Sequence, residues 1–143
     1  MNIEVVAKDT TDFLTPFLPY LIIAGEKAAG EVGKKFSEKS WNFANILWKR
    51  LRPKLDEKEA SREAADELAK VPEDQDAQGA FRLQLKKLLG SDEAFTIELQ
   101  NLLNEIKSDP DSASYFQKAT GSYIAQAQDS STATININTL KDT

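Results

Sequence analysis

An uncharged, largely apolar stretch over residues 13–25 constrains the fold of this 143-residue chain more than any other feature. Apolar and small residues continue from it at spacings of three or four, which is typical of one face of a helix. They are Leu14, Leu18, Leu21, Gly25, Ala28, Val32 and Phe36. Prolines at positions 16 and 19 are tolerated only near a helix start. Residues 13–36 therefore predict a long, buried first helix at the centre of the fold.

A strip of small residues runs beside this apolar face. Gly25, Ala29 and Gly33 are four residues apart, so they share one side of the predicted helix. Glycine costs roughly 1 kcal/mol against alanine in a helix interior, so its use here suggests a packing reason. We expect Gly25, Ala29 and Gly33 to let a second helix approach closely.

The same stretch invites a comparison with a membrane segment. A membrane span needs about 20 apolar residues, whereas this run contains two prolines and becomes charged at Glu26. The N-terminal residues also lack the basic start and cleavage site of a secretory signal. We expect a cytoplasmic protein, with insertion of the first helix into a membrane as the alternative.

Four more helical stretches follow in the first 111 residues. Each has apolar residues at helical spacing, bounded by capping residues or proline; they cover residues 41–55, 56–70, 74–90 and 91–107. Ser37 or Ser40 is the predicted start of the first, whose apolar stripe is Trp41, Ala44, Leu47, Trp48, Leu51 and Leu55. The second has the thin apolar face Ala60, Ala64 and Leu68, and the last is expected to bury Phe95, Leu99, Leu102, Leu103 and Ile106. Pro53 is expected to end or kink the first of these near Leu51. Asn2 to Lys8 alternates in a way that favours a short strand or extended arm. The fold class is therefore mainly α, a compact antiparallel bundle of about five helices with an N-terminal extended arm.

The chain contains no cysteine and no histidine. Thiolate chemistry is thereby excluded, and the commonest general base and metal ligand are missing. Residues 74–79 match the start of an EF-hand loop, but Leu85 stands where that loop needs a bidentate glutamate. We predict no catalytic residues, no cofactor and no metal, and keep an enzyme of unrecognised type as the last alternative.

Charge is segregated along the sequence. Residues 34–54 carry seven basic side chains and one acidic one, whereas residues 56–76 carry nine acidic and three basic ones. The two blocks are expected either to face one another or to lie on opposite solvated faces. The net charge of −5 argues against a general nucleic-acid binder, so no nucleic-acid partner is predicted.

The composition changes sharply after Pro110. Only Lys118 and Asp129 are charged between residues 112 and 140, whereas the first 111 residues contain 37 charged side chains. Eleven of the twenty residues over 120–139 are Ser, Thr, Asn or Gln. We therefore predict two parts, a helical bundle over residues 1–111 and a polar, β-forming tail over residues 112–143.

Two stretches of this tail, residues 122–128 and 131–138, have strand-like sequences joined by a turn at Asp129 and Ser130. A single hairpin with so narrow an apolar face is marginal in water. Pairing with identical copies would instead satisfy the strand edges and form Asn and Gln ladders. The residues expected to carry this self-assembly are Tyr123, Ile124, Gln126, Gln128, Ala133, Ile135, Asn136, Ile137 and Asn138.

The helical residues 14–55 and 80–103, together with the tail, resemble a family of small bacterial proteins of cyanobacteria and actinobacteria. Members of that family combine a helical part with a short, repetitive β tail. The resemblance covers roughly residues 14–138. It implies this domain arrangement and no reaction.

The favoured hypothesis is a non-enzymatic structural or adaptor protein that forms a homo-oligomer or a filament through its tail. Its predicted partner is itself. The alternative is a membrane-active, pore-forming effector that uses the apolar residues 13–36, with the tail driving oligomerisation.

Overall fold

The computed structural model describes residues 2–24 and 29–116. Over these residues the chain is a helical bundle with six α-helices: α1 (Ile3–Leu14), α2 (Ala29–Lys35), α3 (Glu38–Leu55), α4 (Glu59–Lys70), α5 (Gln75–Gly90) and α6 (Glu93–Lys107). A π-helical turn, Pro19–Ala24, follows α1, and residues 110–116 are also helical. The mainly α prediction is confirmed. The predicted strands of the tail, residues 122–128 and 131–138, lie outside the described residues.

The chain divides into two units, Met1–Ser112 and Ala113–Thr143. The sequence predicts the division between residues 111 and 112. All six α-helices and the π-helical turn belong to the first unit. In the second unit, the structure describes residues 113–116 as helical.

The N-terminal residues form α1, so the predicted extended arm is wrong. The Asn2 side chain caps this helix by accepting hydrogen bonds from the backbone N–H groups of Glu4 at 3.0 Å and Val5 at 3.3 Å. The buried positions recur at helical spacing; they are Val6, Ala7, Thr10, Thr11, Phe13 and Leu14. Burial of this face, chiefly against α5, outweighs the strand propensity of the β-branched residues.

Two prolines interrupt the predicted helix over residues 13–36. Pro16 and Pro19 have no N–H to continue the hydrogen-bond ladder. The helix α1 therefore ends at Leu14, and the hydroxyl of Thr15 donates to the carbonyl of Thr11 at 2.5 Å. The prediction of one central helix is wrong. Its N-terminal part nevertheless contributes four fully buried side chains to the core: Phe13, Leu14, Phe17 and Leu18.

The helix α3 continues through Pro53 to Leu55, so it does not end near Leu51, which is one of the two predicted effects of this proline. Its N-cap is Ser37, whose hydroxyl accepts from the backbone N–H of Ser40 at 3.1 Å, as one of the two predicted starts. Pro53 lies in the last turn, where its missing N–H affects one carbonyl, that of the exposed Lys49. Water can satisfy a carbonyl at such a position, so the helix persists to Leu55.

The helices α4, α5 and α6 bury faces close to those predicted. All five apolar residues predicted to face inward on α6 are buried: Phe95, Leu99, Leu102, Leu103 and Ile106. On α4 the buried face lies one residue further along, because it includes Ser61 rather than Ala60. The hydroxyl of Ser61 donates to the side-chain oxygen of Gln84 on α5 at 3.2 Å, which satisfies this polar group inside the interface.

The core is arranged around α5 and α1. The helix α5 packs against both α1 and α4, and α1 also contacts α3 and α6. Next to this core, the ring of Phe17 lies 4.4 Å from that of Phe36, measured between centroids. Phe36 in turn stacks on Trp41 of α3, so aromatic contacts connect the chain after α1 to α3.

Two ion pairs join α3 to α6. Lys54 Nζ lies 2.8 Å from Asp92 Oδ2, and Arg50 Nη1 lies 3.3 Å from Glu98 Oε2. Asp92 also caps α6 through the backbone N–H of Phe95. The hydrogen bond from Lys54, followed by that from Phe95, lowers the pKa of the Asp92 carboxyl. The hydrogen bond to Asp92 likewise raises the pKa of Lys54.

We expect the Asp92 carboxyl to titrate below its ordinary pKa and the Lys54→Met variant to move it back up. Because the folded-state pKa is lowered, Asp92 stabilises the fold above its unfolded pKa, and this contribution is lost as the pH falls through the folded-state value. NMR titration of the side-chain carboxyl measures the shift. The Arg50→Met variant is the control, since Arg50 pairs with Glu98 instead. An unchanged Asp92 pKa in Lys54→Met would contradict the assignment.

Candidate functional site

The chain leaves the first unit through a buried hydrogen-bonded junction. Asp109 caps the helical segment at residues 110–116, with Pro110 at its first position. One carboxylate oxygen of Asp109 accepts from the Ser112 hydroxyl at 2.7 Å and from the Ser112 backbone N–H at 3.1 Å. The Ser112 hydroxyl also lies 2.7 Å from the hydroxyl of Ser40 on α3. Ser112 is therefore fixed to the bundle at the end of the first unit.

The side chains of this junction are buried and hydrogen-bonded to one another. Ser40 and Ser112 are fully buried, and Asp109 is 8% exposed. Lys39 lies 3.7 Å from the second carboxylate oxygen of Asp109, so this lysine pairs with the acid rather than with a serine hydroxyl. Neither hydroxyl reaches the surface to act as a nucleophile. The arrangement holds residues 109–112 against the start of α3.

A recess lies between α3, α4 and the π-helical turn, and we call it the Trp48 recess. Its volume is about 100 Å³, and its lining residues are Ile22, Trp48, Arg52, Leu55, Asp56, Arg62, Ala65 and Asp66. The walls from Trp48, Leu55 and Ala65 are buried. The four charged residues are exposed and form a mixed rim of two arginines and two aspartates.

Trp48, which lines this recess, has a buried indole N–H group without a partner in the described structure. The Trp48 side chain is 6% exposed, and its buried Nε1–H has no hydrogen-bond acceptor in the described structure. A buried donor without an acceptor costs about 1–3 kcal/mol. Sequence analysis places Trp48 in the apolar stripe of α3 and gives no sign of this, because a tryptophan at helical spacing predicts core packing. The indole N–H of Trp48 stands out only in the structure, where it lacks a hydrogen-bond acceptor.

An open groove with basic side chains lies between α1 and α5. Its volume is about 230 Å³, and its lining residues are Asn2, Glu4, Val5, Lys8, Arg82 and Lys86. Nearby carboxylates partly neutralise these cations, since Lys86 lies 3.7 Å from Glu4 and Lys8 lies 2.7 Å from Asp12. The groove is therefore a charged surface feature without a buried polar group to define a ligand.

Of the three residues in the predicted packing strip, the surroundings of Gly33 are described. Gly33 is exposed, and a Cβ added there would meet no described atom within 4 Å, so no described helix approaches it closely. Gly25 and the side chain of Ala29 lie outside the described residues. The same is true of every residue predicted to carry self-assembly: Tyr123, Ile124, Gln126, Gln128, Ala133, Ile135, Asn136, Ile137 and Asn138.

The predicted charge blocks scarcely contact one another in the described ion pairs. Arg52 pairs with Asp56 at 3.7 Å, within one turn of the chain. Lys39, Arg50 and Lys54 pair instead with acids at or beyond position 92. The acidic side chains of α4 are exposed, which agrees with the solvated-face interpretation.

Neither a metal centre nor a membrane span is found in the described parts of the chain. Over residues 2–24 and 29–116, no three acidic side chains are grouped in a way that would hold a metal ion. The helices of these residues also include none that is both long and apolar enough to cross a bilayer. Comparison of the chain with protein-family models, curated proteins and solved structures finds no match.

Proposed function

We propose that this chain is a non-enzymatic structural or adaptor protein that assembles with copies of itself through residues 112–143. The observation that carries the proposal is the change of composition at residue 112, next to the boundary between the two units. A charged, helical unit is followed by 31 residues of the second unit with few charges. Membership in the family of small bacterial helical proteins is part of the same proposal.

The buried junction at Ser112 supports this function. A segment that pairs with other chains can hold its own helical unit in the assembly only if the segment is firmly attached to that unit. Asp109 and Ser40 provide that attachment, because their hydrogen bonds fix Ser112 to the bundle at 2.7 Å from each. The helical unit would thus act as a folded body attached to each copy of the assembling segment.

The sequence of the segment favours pairing between identical strands. Ala133, Ile135 and Ile137 alternate with Thr and Asn, so one narrow apolar face lies opposite a polar one. Stacking identical strands makes the apolar face continuous and aligns Asn and Gln side chains into hydrogen-bonded ladders. A ring results if the rotation between copies closes, and a filament results if it does not.

We expect the full chain to sediment as an assembly at tens of micromolar and the double variant Ile135→Lys, Ile137→Lys to sediment as a monomer. Two buried, stacked lysines in every strand repel one another and have no partner. Sedimentation velocity measures the mass. The control is Asp129→Asn, Ser130→Lys, which changes the net charge by the same amount within the predicted turn and should still assemble.

Two results would contradict the proposal. One is a wild-type chain that stays monomeric at these concentrations and gives sharp random-coil resonances for residues 120–143. The other is equal dissociation of both double variants, which would indicate net charge rather than strand pairing. Leakage from liposomes by the wild-type chain, abolished by Ile23→Lys at the 58% exposed Ile23, would favour the membrane-active alternative.

A further inference from the structure

We propose that Ser37 is a phosphorylation site that controls how Ser112 is attached to α3. A chain of hydroxyl groups, which we call the serine relay, connects Ser37 through Ser40 and Ser112 to the carboxylate of Asp109. Two observations carry the proposal: the direction of this relay and the basic residues that precede Ser37. All four residues belong to the first unit, so the proposal is independent of self-assembly.

The serine relay has a single direction, because it ends on a carboxylate. The Ser112 hydroxyl donates its one hydrogen to Asp109 Oδ2 at 2.7 Å, since an ionised carboxylate only accepts. In the 2.7 Å contact between Ser40 and Ser112, the donor is therefore Ser40. The hydrogen of Ser40 is then in use, so Ser37 donates to Ser40 at 2.9 Å. Each hydroxyl thus supplies the hydrogen for the next one.

Ser37 is the member of the serine relay that an enzyme can reach. Ser40 and Ser112 are fully buried, whereas Ser37 is half-buried in the short connection between α2 and α3. Lys34 and Lys35 precede it by three and two positions, and both are exposed. No other serine or threonine of the 143-residue sequence has basic residues at both of these positions. Protein kinases select their substrates by such charge patterns.

The modification is a phosphoryl transfer from a nucleoside triphosphate held by a protein kinase. Ser37 Oγ attacks the γ-phosphorus and forms an O–P bond, while the bond from that phosphorus to the oxygen that bridges it to the β-phosphorus breaks. The nucleoside diphosphate leaves, and the hydroxyl proton passes to a base of the kinase. Ser37 thereby loses the hydrogen that it donates to Ser40.

Phosphorylation changes the partner of Ser40. A phosphoserine carries a charge of about −1.5 to −2 and three acceptor oxygens, and hydrogen bonds to charged groups are about twice as strong as neutral ones. The Ser40 hydroxyl is therefore expected to turn from Ser112 to the phosphate. The phosphate also competes for Lys39, whose Nζ lies 3.7 Å from Asp109 Oδ1. Ser112 loses its hydrogen bond to α3, while the added negative charge stabilises the N-terminus of α3.

The first experiment treats the full chain under native conditions with a nucleoside triphosphate and a kinase that selects basic residues two and three positions before serine. We expect one phosphate per chain, located on Ser37 by mass spectrometry. The Ser37→Ala variant should accept none. The matched control is Ser108→Ala, which changes an exposed serine outside the serine relay and should be phosphorylated as the wild-type chain is.

Hydrogen exchange of the phosphorylated chain then tests the effect on the junction. The Ser112 N–H should exchange about five- to tenfold faster, because a buried hydrogen bond that holds it to α3 is lost. The Ser40 N–H, which donates to Ser37 Oγ at 3.1 Å, should exchange more slowly, because its acceptor becomes an anion. In Ser37→Ala, Ser40 still donates to Ser112, so the Ser112 N–H should exchange as in the wild-type chain.

Three outcomes would overturn the proposal. A kinase that leaves Ser37 unmodified in the folded chain would mean that the hydroxyl is not accessible. Unchanged exchange of the Ser112 N–H after phosphorylation would mean that the serine relay does not control the attachment. Faster exchange at both Ser40 and Ser112 would indicate that the phosphate loosens the fold as a whole.

Discussion

Replacing Phe17 with alanine is expected to lower the free energy of unfolding by about 3–5 kcal/mol. The side chain is fully buried, although it lies in the turn between α1 and the π-helical turn. Its ring centroid lies 5.1 Å from that of Phe13 and 4.4 Å from that of Phe36. Truncation would leave a cavity at the point where three stretches of chain meet, and the aromatic contacts there would be lost.

Urea denaturation followed by circular dichroism measures this effect. The control is Leu83→Ala on α5, where a side chain of similar type is 48% exposed and the change should stay within about 0.5 kcal/mol. Domain stabilities are typically about 5–15 kcal/mol, so Phe17→Ala is expected to shift the midpoint strongly. If that variant fails to fold, Phe17→Leu, which leaves a smaller cavity, should fold with a smaller loss of stability than Phe17→Ala. Equal midpoints for Phe17→Ala and Leu83→Ala would place Phe17 outside the core.

The second large effect is expected at Asp109, where alanine should cost about 2 kcal/mol. This change removes the cap of the helical segment at 110–116 and one acceptor of the buried Ser112 hydroxyl. Loss of the ion pair with Lys39 accounts for a smaller share of the expected destabilisation. The lysine side chain is 67% exposed, and such exposed pairs contribute about 0–1 kcal/mol to stability.

Two companion variants separate the cap from the ion pair. Asp109→Asn keeps an acceptor oxygen for Ser112 and should be the milder change, since asparagine caps helices about as well as aspartate. Lys39→Ala removes only the ion pair and should be milder still. Thermal unfolding of the three variants gives the order. A loss in Lys39→Ala as large as that in Asp109→Ala would assign the stabilisation to the ion pair.

The sequence predicts a helix correctly where the spacing of the apolar residues and the capping residues both indicate one. The helix α6 is the clearest case, because Phe95 and Ile106 lie on one apolar face and the predicted start at Ser91 is one residue before the observed cap, Asp92. The helix α1 was missed because its β-branched residues resemble a strand, although Asn2 and the spacing of Val6, Thr10 and Phe13 carry the helical signal. Tertiary packing against α5 decides between these two signals.

The candidate site was beyond sequence reasoning for a different reason. Trp48, Arg62 and Asp66 come from two helices, and their proximity depends on how α3 packs against α4. Whether the indole N–H of Trp48 finds an acceptor depends on every residue packed around it, and these residues are known only from the structure. The junction at Ser112 is similar, because its partner Ser40 lies 72 positions earlier in the chain.

The π-helical turn Pro19–Ala24 has a consequence for changes in chain length. A π-turn closes its hydrogen bonds over five residues instead of the four of an α-turn, so it holds one residue more per turn. Removing one residue there would let the turn relax into ordinary α-helix, and each residue of an α-helix advances the chain by about 100°. Deletion of a single residue should therefore be better accommodated between Pro19 and Ala24 than within α5. Within α5, the same change would rotate all the buried residues on one side of the altered position by about 100°, away from α1 and α4.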